Sequence, residues 1–229
     1  MAEYNVSRTM STQHPDNVNS PFFSDNSEIA GEDEIKEVFY AYSHLHSKEQ
    51  LWDCEGKEVD NFVVKKLLNK YEPYFKNHKL GKDVFLTLRV PNPSVEKNEA
   101  KILLETLESI PRNFDSAKLF YNHDIAPIFE IALPMTKDYR ELVRIAEYYK
   151  HHVVGKQHHK LSDMTIAEWI GKFQPEALRI IPLIEEKETL LNPENIVENF
   201  VNEEKVEYYQ RVCLARSDPA LNYGNLATI

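Results

Sequence analysis

The sequence predicts an α/β fold of the (β/α)8 TIM-barrel type, incomplete, with about the first half to two-thirds of the barrel present. Three observations predict it. Short apolar strands alternate with amphipathic helices through most of the chain, the pattern of parallel α/β architecture. The strands are nearly continuous in apolar character, as expected when both faces are covered. The polar residues that stand out fall directly after strands and not in a Gly-rich first turn, which favours a barrel over a doubly wound sheet.

The elements follow in order. Residues 1–30 are polar, with Pro15, Pro21 and several Asn and Ser, and read as an N-terminal arm without a strand. From Gly31 the pattern turns helical, with Ile35, Val38, Phe39 and Tyr42 on one face. A short apolar stretch around Leu51 and Trp52 precedes a second helix through Phe62, Val63, Leu67 and Tyr71. Residues 84–90 read as a strand, and Ser94 as the cap of a helix burying Ala100, Leu103, Leu104 and Leu107. Residues 125–134 form the next strand. Asp138 with Glu141 predicts a capping box opening a helix to about Lys150, and Thr165 with Glu168 opens one to Phe173. Strand 178–184, a helix opened by Asn192 and Pro193, and strand 210–216 complete the series.

This gives four or five strands where a complete barrel needs eight and typically ~250 residues. The expected organisation is an arm over 1–30 and a partial barrel over 31–229 that continues in a C-terminal half. Such a partial barrel, tested alone, is expected to associate through its open strand edges.

Lys and Arg number 27 against 37 Asp and Glu, a net charge of −10 that argues against a nucleic-acid surface. Gly is scarce, at six residues, and neither a G-x-G-x-x-G turn nor a P-loop can be drawn. No apolar run approaches the roughly 18 residues of a membrane span, and no apolar segment follows a basic start. A cytoplasmic protein with no membrane or nucleic-acid partner is expected. Cys54 and Cys213 lack metal-type spacing and are expected to be reduced and buried.

Arg89, Glu185 and Asp218 follow strands, and in a parallel barrel all strand C-termini share one rim. Two carboxylates and an arginine there suit a magnesium ion and an anion together. Strand ends are also often polar simply because they reach solvent. In the arm, His14 sits between Gln13 and Pro15 in a segment without amphipathic periodicity. Pro15 biases His14 towards extended backbone, and a histidine so placed suits proton transfer near neutral pH. His151, His152, His158 and His159 have no recognised zinc spacing. The run Trp52-Asp53-Cys54-Glu55-Gly56-Lys57 reads equally as a strand end with site groups or as a salt-bridged helix start. Glu130, inside a strand, faces the barrel interior or pairs with a base.

Taken together, the segments RTMSTQHPDNV (8–18), WDCEGKEVDNFVVKKLL (52–68), LTLRVPNPSVEKNEAKILLETLESIPR (86–112), VVGKQ (153–157) and LARSDPALNYG (214–224) resemble the archaeal-type phosphoenolpyruvate carboxylases. The matches run in order over essentially the whole chain. Family members are roughly twice as long, so the resemblance is to an N-terminal half. The larger, widespread type of the same enzyme offers a weaker comparison. Its T-A-H-P-T-E segment resembles Thr12 to Asn17, its P-L-F-E strand Pro182 to Glu185, and its S-D-S-A-K-D-A-G segment Ser217 to Gly224, with Leu221 replacing the lysine.

The resemblance implies His14 and Arg89 as catalytic, Thr12 and Arg89 as substrate-binding, and Glu185 and Asp218 as ligands of Mg2+, with Mn2+ the alternative. It implies phosphoenolpyruvate and bicarbonate as substrates, oxaloacetate as product, and a homo-oligomer at full length. Bicarbonate would attack the phosphoryl group to give carboxyphosphate and an enolate that traps carbon dioxide. A phosphate-covering Arg- and Gly-rich loop belongs to the family's C-terminal half, so the isolated chain is expected to form no oxaloacetate. Two other readings stand beside this one. One is another Mg-dependent lyase of the phosphoenolpyruvate/pyruvate barrel group, which gives the HPDN segment no purpose. The other is a non-catalytic fragment or split subunit needing a second polypeptide.

Overall fold

A computed structural model describes residues 6–13, 19–55, 59–215, 220, 224 and 226. The protein is α/β and divides into two compact units, residues 1–88 with 109–129, and residues 89–108 with 130–229. The three divisions fall before the last residue of one strand, inside one long helix and at the start of another strand.

In the first unit, β1 (Met10–Thr12) runs parallel to β2 (Glu49–Asp53), with Met10 level with Glu49 and Thr12 with Leu51. A strand in the first thirty residues departs from the expectation. Its three residues carry no apolar alternation, and pairing with β2 is what makes them a strand. The Leu51-Trp52 stretch is likewise a strand. β3 (Phe85–Arg89) lies beside β2, with the Phe85 N–H donating to the Lys48 carbonyl at 2.8 Å.

Helix α1 (Glu32–Ser43) opens with Glu32, Asp33 and Glu34, which suit the positive end of its dipole. It buries Ile35, Val38, Ala41 and Tyr42, each large side chain contributing about 1.5–3 kcal/mol. Tyr42 donates to the Phe85 carbonyl at 2.7 Å, and burial pushes its phenol well above the ordinary value. α2 (Val63–Lys70) and α3 (Glu72–Asn77) add Val64, Leu67 and Phe75 to this core.

Helix α4 (Ala100–Tyr121) crosses from the second unit into the first and carries Pro111, which cannot donate to the Leu107 carbonyl. Ser94 is not its cap. Asn92 Oδ1 takes the Ser94 N–H at 2.9 Å and the Asn92 carbonyl takes the Val95 N–H, so a local turn wins over helix initiation.

In the second unit, β4 (Glu130–Leu133) pairs in parallel with β7 (Arg179–Ile184), which pairs in parallel with β8 (Cys213–Leu214). The last strand is much shorter than the expected 210–216, and Pro182 explains why. The Ala215 N–H donates to the Ile184 carbonyl, so the even-numbered residues of β7 direct their polar groups towards β8. Pro182 is one of them and has no N–H to give. Two residues earlier, the Gln210 side chain serves the Ile180 carbonyl at 2.8 Å where a strand would have done so. Cys213 is exposed, contrary to expectation, while Cys54 is buried; the two do not form a disulfide.

Helix α5 (Tyr139–Tyr148) passes into a π-helical turn, Tyr149–Val154, and a 3-10 turn, Gly155–His158. The hairpin of β5 (Lys160–Leu161) and β6 (Met164–Thr165) leads into α6 (Ile166–Ile170), whose Thr165–Glu168 capping box is fully formed. α7 (Lys187–Leu191) and α8 (Pro193–Glu204) follow, with Pro193 in the first turn as expected and Lys205 ending α8 in the left-handed region.

Asp138 caps α5 by accepting the Arg140 N–H, while Glu141 takes the Lys137 N–H rather than closing the box on Asp138. The Arg140 guanidinium, bonded to the same carboxylate, holds Asp138 down at about 2. We expect Asp138→Ala to cost about 1 kcal/mol, the usual value of such a cap, measured by urea unfolding at pH 7. Because the folded-state value is depressed, the contribution is present above the ordinary value of 3.8 and is lost as pH falls towards 2. The difference between wild type and variant should therefore shrink across that window.

Candidate active site

Each described candidate sits where a strand ends. In the first unit, Thr12 is the last residue of β1, and Gln13 after it is buried. Gln13 Oε1 accepts the Asp53 N–H at 2.8 Å, and Asp53 Oδ1 accepts the Glu55 N–H at 3.1 Å. The Asp53–Glu55 run is therefore a strand end that turns on its own carboxylate. Beneath it, the buried carboxylate of Glu49 takes hydrogen bonds from the hydroxyls of Thr87 and Ser7. His14 lies outside the described residues.

In the second unit, Arg89 closes β3 and is half-buried. The Val90 N–H donates to the Ala132 carbonyl at 3.1 Å, which puts Arg89 level with Ala132 and hence with Ile181. Glu185 follows β7 directly, four residues beyond Ile181. Side chains alternate along a strand, so Arg89 and Ile181 share a sheet face on the strands flanking β4. Glu185 Oε2 accepts the Met135 N–H at 2.6 Å, a charge-assisted bond that holds the carboxylate against the end of β4. Met135 adopts a left-handed conformation, φ 49°, at that turn. The other metal candidate, Asp218, lies outside the described residues.

Two residues that sequence reasoning did not single out take part in building these strand ends. Gln13 was visible only as a neighbour of His14. Asn92, buried, donates through Nδ2 to the Pro134 carbonyl at 2.9 Å and ties the loop after β3 to the end of β4. Its signal was the Asn-Pro pair directly after a strand. Glu130, at the opposite end of β4, pairs with a base as one reading expected: Arg211 Nη1 stands 2.6 Å from its Oε2.

Glu185 offers hard oxygen donors at a strand end, the chemistry Mg2+ takes from one or two carboxylates with waters and substrate filling its remaining positions. Among the described residues no group of three or more His, Cys, Asp and Glu could hold a metal ion, so an all-protein cage is not what these residues form. Among them, no helix is long and apolar enough to cross a membrane.

A family model described as phosphoenolpyruvate carboxylase matches residues 6–229. The chain is 58% identical over 226 residues to the phosphoenolpyruvate carboxylase of Methanospirillum hungatei, covering 98% of this chain and 46% of that protein. It is 57% identical over 223 residues to the enzyme of that name from Methanothermobacter thermautotrophicus, again covering 46% of it. With that of Pyrococcus furiosus the identity is 54% over 225 residues and the coverage 48%. The chain thus spans about half the length of the curated relatives it matches.

Proposed function

The chain belongs to the phosphoenolpyruvate carboxylase family, and from that we propose that its residues serve the carboxylation of phosphoenolpyruvate by bicarbonate to oxaloacetate and phosphate. The activity is proposed for a protein that joins this chain to the remainder its relatives possess. The observation that supports the reading is that Arg89 closes β3 and Glu185 directly follows β7, the two strands flanking β4, with Glu185 held by the Met135 N–H. We further propose that the strands belong to a (β/α)8 barrel, residues 31–229, with the arm 1–30 bringing His14 to its rim. A homo-oligomer working in the cytoplasm completes the proposal.

In this reading Arg89 binds the phosphate or carboxylate of the substrate through its planar fork, and Thr12 adds a hydroxyl. His14 holds or moves a proton on the carboxylated phosphate that forms when bicarbonate attacks the phosphoryl group. Glu185 and Asp218 would hold Mg2+, which when bound supplies Lewis-acid stabilisation of developing negative charge. Burial of the reacting groups away from water strengthens each of these interactions.

The test couples oxaloacetate formation to malate dehydrogenase in the full-length protein. His14→Asn is expected to lower kcat by about two orders of magnitude or more, the scale of a lost acid–base group, with Mg2+ affinity intact. Glu185→Gln is expected to weaken Mg2+ binding, read directly by titration calorimetry. Unchanged turnover in His14→Asn would remove the histidine from the chemistry.

A further inference from the structure

We propose that a cavity between α4 and α5, within the second unit, binds a free α-amino acid with an aromatic or branched apolar side chain. The cavity has a volume of about 230 Å³. An engineered apolar cavity of about 150 Å³ stays dry and admits benzene, so this one has room for a benzyl or isobutyl group. Its floor is apolar. Leu103 and Leu107 of α4, Leu133 of β4 and Ile145 of α5 line it, each at most 4% exposed. A void lined in this way forfeits the dispersion contacts of a close-packed core, and an apolar group entering it restores them.

The rim departs from ordinary helix packing. Glu141, Arg144, Ile145 and Tyr148 follow the i, i+3, i+4, i+7 spacing that places them on one face of α5, and all four line the cavity. A helix face turned to a neighbouring helix ordinarily carries apolar residues at such positions, and this one carries an acid and a base. The two are not joined by an ion pair, and the exposed Arg144 guanidinium makes no hydrogen bond among the described residues. Its charge acts on Asp138, but that carboxylate is already bonded to the Arg140 guanidinium. Glu141 accepts the Lys137 N–H through Oε2 at 3.1 Å, which fixes its carboxylate at the start of α5. The Tyr148 hydroxyl donates to Glu108 at 3.4 Å, and its ring stacks on His152 at 5.3 Å.

Apolar walls alone would accept any hydrophobe of the right size. A guanidinium and a carboxylate three residues apart on a helix stand about 5–6 Å from each other at Cβ, a spacing that brackets the two charges of an amino acid. Arg144 takes the α-carboxylate through its planar fork, and Glu141 takes the α-ammonium in a charge-assisted bond. The side chain then enters the space between Leu103, Leu107 and Ile145. Asn92 also lines the cavity, but its amide is already engaged with the Pro134 carbonyl and the Ser94 N–H, so recognition falls to the charged pair.

Titration calorimetry on the full-length protein tests this with L-phenylalanine and two probes that keep the ring and lack one charge, 3-phenylpropionate and 2-phenylethylamine. L-Phenylalanine is expected to bind saturably with Kd of about 1 mM or below, and each one-charge probe about tenfold or more weaker. Arg144→Met should weaken L-phenylalanine about 10- to 100-fold and leave 2-phenylethylamine unchanged. Glu141→Gln keeps an acceptor for the Lys137 N–H, and it should weaken L-phenylalanine while leaving 3-phenylpropionate unchanged. Leu104→Trp, at the rim where Leu104 is 36% exposed, should block all three.

Absence of saturable L-phenylalanine binding to the wild-type protein overturns the proposal, whether the cavity is empty or filled by another segment or a second copy. Equal binding of either one-charge probe removes the zwitterion and overturns the amino-acid class. Binding that survives both Leu104→Trp and Arg144→Met lies elsewhere and overturns the assignment to this cavity. The comparison of the three ligands on the wild-type protein decides the class even where a variant fails to fold.

Discussion

Arg211→Met is expected to destabilise the protein by about 3–5 kcal/mol, the cost of leaving a buried charge without its partner. Glu130 begins β4 at 4% exposure, and Arg211 Nη1 approaches its Oε2 to 2.6 Å. The pair belongs to a wider clamp. Arg179, level with Glu130 on β7, stacks on the Tyr209 ring at 4.2 Å and donates to the Tyr209 carbonyl at 2.9 Å. The Tyr209 hydroxyl lies 3.5 Å from Glu130, and burial, then the Glu130 charge, raises its phenol above the ordinary value. The segment before β8 is thereby held against the starts of β4 and β7. The double variant Glu130→Leu/Arg211→Met should recover much of the loss, since removing both partners strands no charge. Urea unfolding of the three proteins decides it. A cost below about 1 kcal/mol for Arg211→Met would show that the pair behaves like a surface contact.

Gly81→Ala should cost about 2–5 kcal/mol. Gly81 lies in the turn between α3 and β3, where its N–H donates to the Val84 carbonyl at 2.8 Å. Its φ is +92°, and an added Cβ would stand 2.1 Å from the Ala126 carbonyl oxygen. The left-handed backbone alone costs about 1–2 kcal/mol for a residue with a side chain. The overlap adds about 1–3 kcal/mol, because the obstructing atoms are main chain and cannot rotate away. Gly171 supplies the comparison. Its φ is +99°, but an added Cβ meets nothing within 4 Å, so Gly171→Ala should show the backbone strain without the overlap. Equal costs at the two positions would mean the strand-entering turn moves aside freely. The measurement is again the unfolding midpoint at constant m-value.

The local code was legible where the partner of each group lies a few residues away. The apolar spacing of Ile35, Val38 and Tyr42 marks the buried face of α1 as observed. Thr165 with Glu168 forms the capping box that its spacing announces, three residues apart on one helix start. Arg89 and Glu185 were picked as polar residues after apolar strands, and each does stand at a strand end. The family could be read from five segments in order, and the match over residues 6–229 bears that out.

Other features needed partners far along the chain, and no spacing rule reaches them. β1 is a strand because Glu49 to Leu51, some forty positions on, offer it a ladder. β8 is two residues long because Pro182, on the neighbouring strand, lacks the N–H a third rung would use. Glu130 finds its base 81 residues away at Arg211, and Gln13 finds its donor 40 residues away at Asp53. Periodicity, caps and strand-end polarity were thus determined by the sequence itself, since they depend on torsions and neighbours within a turn or two. Register, strand length and the pairing of buried polar groups were decided by the tertiary structure, because a hydrogen bond between distant residues exists only once the fold has brought its two ends together.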